Sequence, residues 1–128
     1  SLVGSEMCIE TVHELLTEKG VLIVAVPNCS SYDAKRYGEY WAAYDVPRHL
    51  WHFTPGTIQQ LASRHGFIMA ARHPMPFDAF YVSMLSEKHR GSSCSFLKGV
   101  FAGTLAWFNA LGRKERSSSM IYVFRKKR

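Results

Sequence analysis

The sequence is poor in cysteine, and the few it has do not form a metal-binding motif. Cys8, Cys29 and Cys94 are odd in number and far apart along the chain. This pattern argues against a disulfide framework and against a cysteine zinc site. A reducing compartment suits such a chain, and we therefore expect a cytoplasmic protein.

A long uninterrupted apolar run is also missing. Lys98 and Asn109 interrupt the longest apolar-rich stretch, residues 96–112, which is shorter than the roughly 20 residues that cross a bilayer. No basic segment followed by an apolar one stands at the start of the chain, as a signal peptide would require. We predict no membrane span and interpret the stretch as a buried or partner-facing helix.

Positive charge is present, but it is not arranged for nucleic-acid binding. The formal net charge is +6, and much of the excess lies in residues 113–116 and 125–128. A nucleic-acid surface usually interleaves basic residues with aromatic ones along one face. We expect these basic residues to be solvated, with no nucleic-acid partner.

The clearest structural element is a run of six apolar residues at 21–26, most of them β-branched. A strand that is apolar on both faces is typical of the interior of a parallel sheet covered by helices. The 128 residues, 47% of them hydrophobic, suffice for one domain with a packed core.

The remaining elements alternate between helix and strand. We predict a helix over 6–18, with Ser5 as its N-cap and Gly20 beyond its end. An aromatic-rich loop, 29–53, follows the first strand. The other predicted elements are helices at 55–65, 77–86 and 95–111 and strands at 67–73 and 120–124. This order predicts the α/β class.

Only two other strands are available to flank residues 21–26, which leaves an apolar sheet edge open. Native proteins avoid exposing such an edge. We expect either upstream residues or a second copy of the chain to cover it.

Two motifs resemble a known family. The segment L-L-x-x-x-G-x-L-I-V-A-V-P-N at 15–28 is similar to the helix and fifth strand of class I S-adenosylmethionine-dependent methyltransferases. The segment P-R-H-L-x-H-F-T-P at 47–55, followed by H-G-F at 65–67, resembles a subgroup of them. The resemblance covers the chain from about residue 6 onward.

The resemblance implies a Rossmann-like sheet with strand order 3-2-1-4-5-7-6, strand 7 being antiparallel. On that pattern residues 21–26, 67–73 and 120–125 would be strands 5, 6 and 7. Residues 77–111 would be a helical insertion between the last two strands. Residues 1–128 would thus form the C-terminal portion of a methyltransferase domain.

The features that bind the methyl donor in this family do not appear in the sequence. The family uses a glycine-rich turn after strand 1 and an acidic residue ending strand 2. The chain has no G-x-G run and no acidic residue in that position. We expect the donor-binding part to lie upstream of Ser1, so that S-adenosylmethionine would bind only the full-length protein and this chain alone would be inactive.

The resemblance places the candidate site in the aromatic-rich segment. His49 would be the catalytic base, and Arg48 could clamp an anionic acceptor at two points. The other residues of the predicted acceptor-binding set are Trp41, Tyr44, Asp45 and His52. Structural alternatives stay open: Asp45 could pair with Arg48 to brace the loop, and the aromatic rings could pack against the sheet. His49 and His52 lack a third ligand, so we predict no metal site.

The implied function is the acceptor side of a methyltransferase that acts on a small molecule. Its partners would be that acceptor and the missing upstream half. The alternative is a non-catalytic α/β module that self-associates through the open sheet edge. Binding of nucleic acid through the basic tail is a third hypothesis, and it predicts a steep salt dependence.

Overall fold

The computed structural model describes residues 2–44, 52–75, 77–91, 93–112 and 116–128. Within these ranges the chain forms an α/β structure of five α-helices and three strands. The helices are α1 (Leu2–Leu15), α2 (Tyr32–Tyr37), α3 (Pro55–Arg64), α4 (Asp78–His89) and α5 (Ser95–Gly112), and the strands are β1 (Val21–Pro27), β2 (Phe67–Pro74) and β3 (Ser119–Lys126).

The three strands form one sheet in the order β1-β3-β2. The central strand β3 runs antiparallel to both neighbours, with Ile23 opposite Val123 on one side and His73 opposite Ile121 on the other. Strands β1 and β2 are therefore parallel to each other. An irregularity between Met69 and Ala71 shifts the register of β2. All three predicted strands are present.

Strand β1 does not lie inside a parallel sheet, which differs from the sequence-based expectation. Among the described residues its only strand partner is β3, apart from a single parallel bridge between Asn28 and Phe53 beyond its end. The apolar run predicts a strand that is buried on both faces, but the described residues cover only one face of β1. Ile23, on the uncovered face, is 63% exposed.

The core lies on the other face of the sheet, beneath α1 and α3. Its fully buried members are Phe67 of β2 and Met120, Tyr122 and Phe124 of β3, against which Ile58 and Ala62 of α3 pack. Thr54 caps α3 with its hydroxyl, which accepts a hydrogen bond from the Thr57 N–H at 3.2 Å. Threonine is among the residues that favour this N-cap position.

Two predicted helix boundaries are wrong. Helix α1 begins at Leu2 and ends at Leu15, so Ser5 lies inside it and Gly20 lies five residues beyond it. The predicted loop at 29–53 contains α2 and two 3-10 turns, Gly38–Tyr40 and Ala42–Tyr44. Short helices of this kind lack the apolar periodicity on which sequence-based assignment depends.

Helices α4 and α5 form a hairpin whose contact uses small residues. Helix α5 buries Gly99, Ala102, Gly103, Ala106 and Ala110, whereas most of its large apolar side chains point outward. A Cβ placed on Gly103 would lie 2.8 Å from the Cα of Phe80. Small side chains let the two helix backbones approach closely. None of the described helices is both long and apolar enough to cross a membrane.

Candidate functional site

A group of buried polar side chains lies at one end of the sheet: Asn28, Ser31, Asp33, Ser117, Ser118 and Ser119. Strands β1 and β2 end there and β3 begins there. In α/β proteins, the carboxyl ends of parallel strands are where ligands usually bind. The turn after β1, helix α2 and the two 3-10 turns lie at this end, and so does Phe53, whose carbonyl accepts a hydrogen bond from the Cys29 N–H at 3.1 Å.

Asn28 fixes the turn that follows β1. Its backbone N–H donates to the carbonyl of Ser118 at 2.8 Å, and its side-chain Nδ2 donates to the carbonyl of Ser117 at 3.0 Å. Its Oδ1 accepts hydrogen bonds from the backbone N–H and the hydroxyl of Ser30, at 3.0 and 2.6 Å. The buried amide thus joins the end of β1 to the segment that enters β3.

Asp33 is the centre of a second buried network. Its Oδ2 accepts one hydrogen bond from the indole Nε1 of Trp41 at 2.8 Å and another from the Ser118 hydroxyl at 2.6 Å. Ser31 caps α2, and Asp33 lies in the first turn of that helix, where a negative charge is favoured. The network holds α2, the 3-10 turns and the start of β3 in one arrangement.

Three aromatic rings form a row that begins at Trp41 of this network and lies at the same end of the sheet. Trp41 meets Tyr44 edge-to-face with ring centroids 5.0 Å apart, and Tyr44 meets His52 in the same manner at 4.7 Å. Burial raises the pKa of the Tyr44 hydroxyl, and the nearby Cys29 raises it further. Tyr44 is therefore a neutral hydroxyl at physiological pH, able to donate or to accept a hydrogen bond.

Cys29 lies beside Tyr44 at the end of β1. Burial raises the pKa of its thiol, and a hydrogen bond to its own backbone only partly offsets that effect. A thiol with a raised pKa is mostly protonated at neutral pH, and the thiolate is the reactive form. Cys29 is therefore a poor candidate for a nucleophile.

The helical hairpin joins the site through three polar contacts. The Ser119 hydroxyl donates to the carboxylate of Asp78. The Ser86 hydroxyl accepts from the Ala42 N–H at 2.8 Å. The Tyr37 hydroxyl donates to Glu87 Oε1 at 2.9 Å. Asp78 does not cap α4: Phe77 stands at the N-cap position without a side-chain hydrogen bond, and the Asp78 carboxylate is turned toward β3.

The structure brings together three residues of the predicted site and leaves the other three untested. Trp41, Tyr44 and His52 form one contiguous row. Trp41 is only 1% exposed, and its N–H is already bound by Asp33. The remaining three predicted residues, Asp45, Arg48 and His49, lie outside the described residues.

Sequence reasoning missed the buried polar residues that support the row. Asn28 is only the last residue of the motif at 15–28, and neither Asp33 nor Ser118 belongs to either motif. The contact of Asn28 with Ser117 spans 89 residues and that of Asp33 with Ser118 spans 85, so no local pattern could reveal them. A weak signal existed in Asp33, which follows an N-capping serine by two residues.

The described residues hold no cluster of three or more His, Cys, Asp or Glu side chains that could bind a metal ion. They also do not fit the methyl donor that the resemblance implies. No glycine turn follows β1 or β2, and the Asp33 carboxylate near the end of β1 is buried, with its Oδ2 already accepting from Trp41 and Ser118. A complete S-adenosylmethionine site would need residues beyond those described.

No protein-family model matches the sequence, and no curated protein matches it. A solved structure from Galdieria sulphuraria, assigned as a sarcosine dimethylglycine methyltransferase, aligns with 93% of this chain at a TM-score of 0.49 and 16% sequence identity. The chain spans 46% of the length of that structure. A similarity of this size determines neither the family nor the chemistry of the chain.

Proposed function

We propose that the chain is the acceptor-side portion of a Rossmann-like, S-adenosylmethionine-dependent methyltransferase acting on a small molecule. The observation that carries the proposal is the strand order. Strands β1, β3 and β2 stand side by side in the order expected for strands 5, 7 and 6, with the last strand of the chain antiparallel between the other two.

The exposed surface of β1 supports the same proposal. Its free edge and its uncovered face, which includes Val21 and Ile23, are both apolar. In a longer sheet, a fourth strand would pair with the edge and a helix would cover the face. In this proposal, residues upstream of Ser1 supply that strand, that helix and the donor site.

The position of the aromatic row fits an acceptor site. Tyr44 and His52 lie where β1 ends, and in the sequence they flank the segment that carries Asp45, Arg48 and His49. In the proposal His49 removes a proton from the acceptor, and Arg48 pairs with an anionic group on it. Tyr44 and His52 contact the acceptor, and Trp41 contributes through the support it gives to Tyr44. Catalysis of this kind depends mainly on orientation.

Calorimetric titration with S-adenosylmethionine tests the proposal. The 128-residue chain should show no binding heat, whereas the protein extended upstream should bind one donor molecule. In the extended protein, His49→Ala should leave donor affinity within about twofold, because the proposed role of His49 concerns the acceptor. Failure of the folded, extended protein to bind the donor would end the methyltransferase proposal.

The open edge of β1 also favours a second candidate, a non-catalytic module that self-associates. Two copies could pair their β1 edges and bury Ile23 and its neighbours. Sedimentation velocity distinguishes the two candidates. A stable dimer of the extended protein that lacks donor binding would favour the module, whereas an extended protein that binds the donor would exclude it.

A further inference from the structure

A cavity lies away from the aromatic row, between α2 and the α4–α5 hairpin. Its volume is about 640 Å³. It is lined by Arg36 of α2, Glu87 of α4, Arg90 and Gly91 after α4, and Leu97, Lys98 and Phe101 of α5. None of these residues belongs to the predicted acceptor site, and the inference below does not rest on the proposed methyl transfer.

The charge of the cavity is positive. Three cationic side chains, Arg36, Arg90 and Lys98, face a single carboxylate, Glu87. That carboxylate is only 4% exposed and already accepts a hydrogen bond from the Tyr37 hydroxyl. Within the described ranges, neither Arg90 nor Lys98 has an acidic partner. Their charges are therefore available to a ligand.

Arg36 interacts with two tyrosines of its own helix, Tyr32 and Tyr37. Burial lowers the pKa of Arg36, but hydrogen bonds and charge interactions with Tyr32 and Tyr37 outweigh that effect and raise the pKa above its ordinary value. Tyr37 in turn is anchored to Glu87 at the floor of the cavity. The planar guanidinium of Arg36 suits two-point contact with a phosphate or a carboxylate.

The opposite wall is apolar. Leu97 and Phe101 lie one turn apart on α5 and are 71% and 62% exposed. They are exposed because α5 turns its small residues toward α4 and its large ones away from it. An inorganic anion would satisfy the cations and leave this wall in water. A ligand that used the whole cavity would carry an apolar portion beside its charge.

We propose that this cavity binds an organic anion in which a phosphate or carboxylate group is attached to an apolar chain. Arg36, Arg90 and Lys98 contact the charged group, and Leu97 and Phe101 contact the apolar portion. A nucleic acid would instead need an extended basic track. Such an anion occurs either as a free molecule or as the head of a bilayer lipid, and the chemistry of recognition is the same.

The test compares three probes by calorimetry, in the longest natural form of the protein: inorganic phosphate, dodecyl phosphate below its micellar concentration, and dodecanol. We expect dodecyl phosphate to bind with one-to-one stoichiometry and at least about tenfold more tightly than either other probe. Arg90→Gln and Lys98→Gln should each weaken that binding about tenfold, because each removes a charge-assisted contact to the anion. Phe101→Ser should weaken it too, but leave phosphate binding unchanged.

Lys88→Gln is the matched control, because it removes one positive charge from the same hairpin without lining the cavity. It should change affinity by less than about twofold, and circular dichroism should show all variants folded. The inference is overturned if Lys88→Gln and Arg90→Gln behave alike, if dodecanol binds as tightly as dodecyl phosphate, or if dodecyl phosphate binds no more tightly than phosphate.

Vesicle sedimentation then distinguishes the two sources of the ligand. Binding to phosphatidylglycerol vesicles but not to phosphatidylcholine vesicles, abolished by Arg90→Gln, would assign the site to a bilayer lipid. One-to-one binding of dodecyl phosphate without any vesicle binding would assign it to a free amphiphile. Both results support the same recognition chemistry.

Discussion

The indole N–H of Trp41 donates a hydrogen bond to the carboxylate of Asp33 at 2.8 Å, and both side chains are buried. This pair joins α2 to the turn that leads to Tyr44. The same carboxylate oxygen accepts from Ser118, so the contact links the segment after β1 to the start of β3. The shape of the proposed acceptor site therefore depends on one buried charge and its two donors.

Trp41→Phe should destabilise the protein by about 2 kcal/mol or more, because it removes a donor from a buried carboxylate. Denaturant unfolding followed by circular dichroism measures the change. Tyr40→Phe is the control, since Tyr40 is exposed at the neighbouring position; it should cost less than about 0.5 kcal/mol. Equal losses in the two variants would show that the Asp33 contact adds nothing to stability.

Tyr37 should make stability depend on pH in the alkaline range. Burial, followed by the hydrogen bond to Glu87 and the charge of Glu87, raises its pKa from 10.0 to about 12, although Arg36 acts in the opposite direction. The folded state thus favours the neutral phenol. Its contribution is complete below pH 10.0 and is lost as the pH rises toward about 12.

The measurement is the free energy of unfolding of the wild type minus that of Tyr37→Phe, at several pH values in this window. The difference should fall as the pH rises. Tyr81→Phe, at an exposed position of α4, should give a difference that does not change with pH. Absorbance titration of Tyr37→Phe should also lose one tyrosine that titrates well above pH 10.0; an unaltered titration curve would contradict the assignment.

Gly103→Ala should disrupt the α4–α5 hairpin. The added methyl group would lie 2.8 Å from the Cα of Phe80, and overpacking of this kind costs about 1–3 kcal/mol. Gly112→Ala lies at the end of the same helix, where no atom from another described element comes within 4 Å of the added carbon. It should leave stability unchanged or raise it by up to about 1 kcal/mol. Thermal unfolding compares the two; a Gly103→Ala variant as stable as Gly112→Ala would show that the helices are not in close contact.

Ile23→Lys reports whether other residues cover β1. In the 128-residue chain, where Ile23 is 63% exposed, we expect a change in stability within about 0.5 kcal/mol and weaker self-association. In the protein extended upstream, a covering helix would bury the new charge, and the loss should exceed about 3 kcal/mol. The measurement is the free energy of unfolding of the wild type and of Ile23→Lys in both forms of the protein. A small loss in the extended protein would mean that this face stays open to water.

Much of the fold could be predicted from the sequence because its strands and its longest helices depend on local pattern. The apolar run at Val21–Pro27 and the Thr54-Pro55 cap of α3 signal their own conformations. The ends of α1 were less predictable, since its apolar periodicity is weak. Helix α2 is six residues long, which is too short for a helical repeat of apolar residues to be recognised in the sequence.

The sequence by itself determined where the strands lie and which residues of the aromatic segment stand near the end of β1. Only the tertiary structure decided which face of β1 is covered, that α5 buries its glycines and alanines rather than its phenylalanines, and that Asp33 joins Trp41 to Ser118. Hydrophobic periodicity indicates that a helix has an apolar face, but it cannot distinguish a face that packs closely from one that remains exposed. That distinction depends on how closely two helix backbones can approach. The approach is determined by residues that are distant in the sequence and meet only in the folded chain.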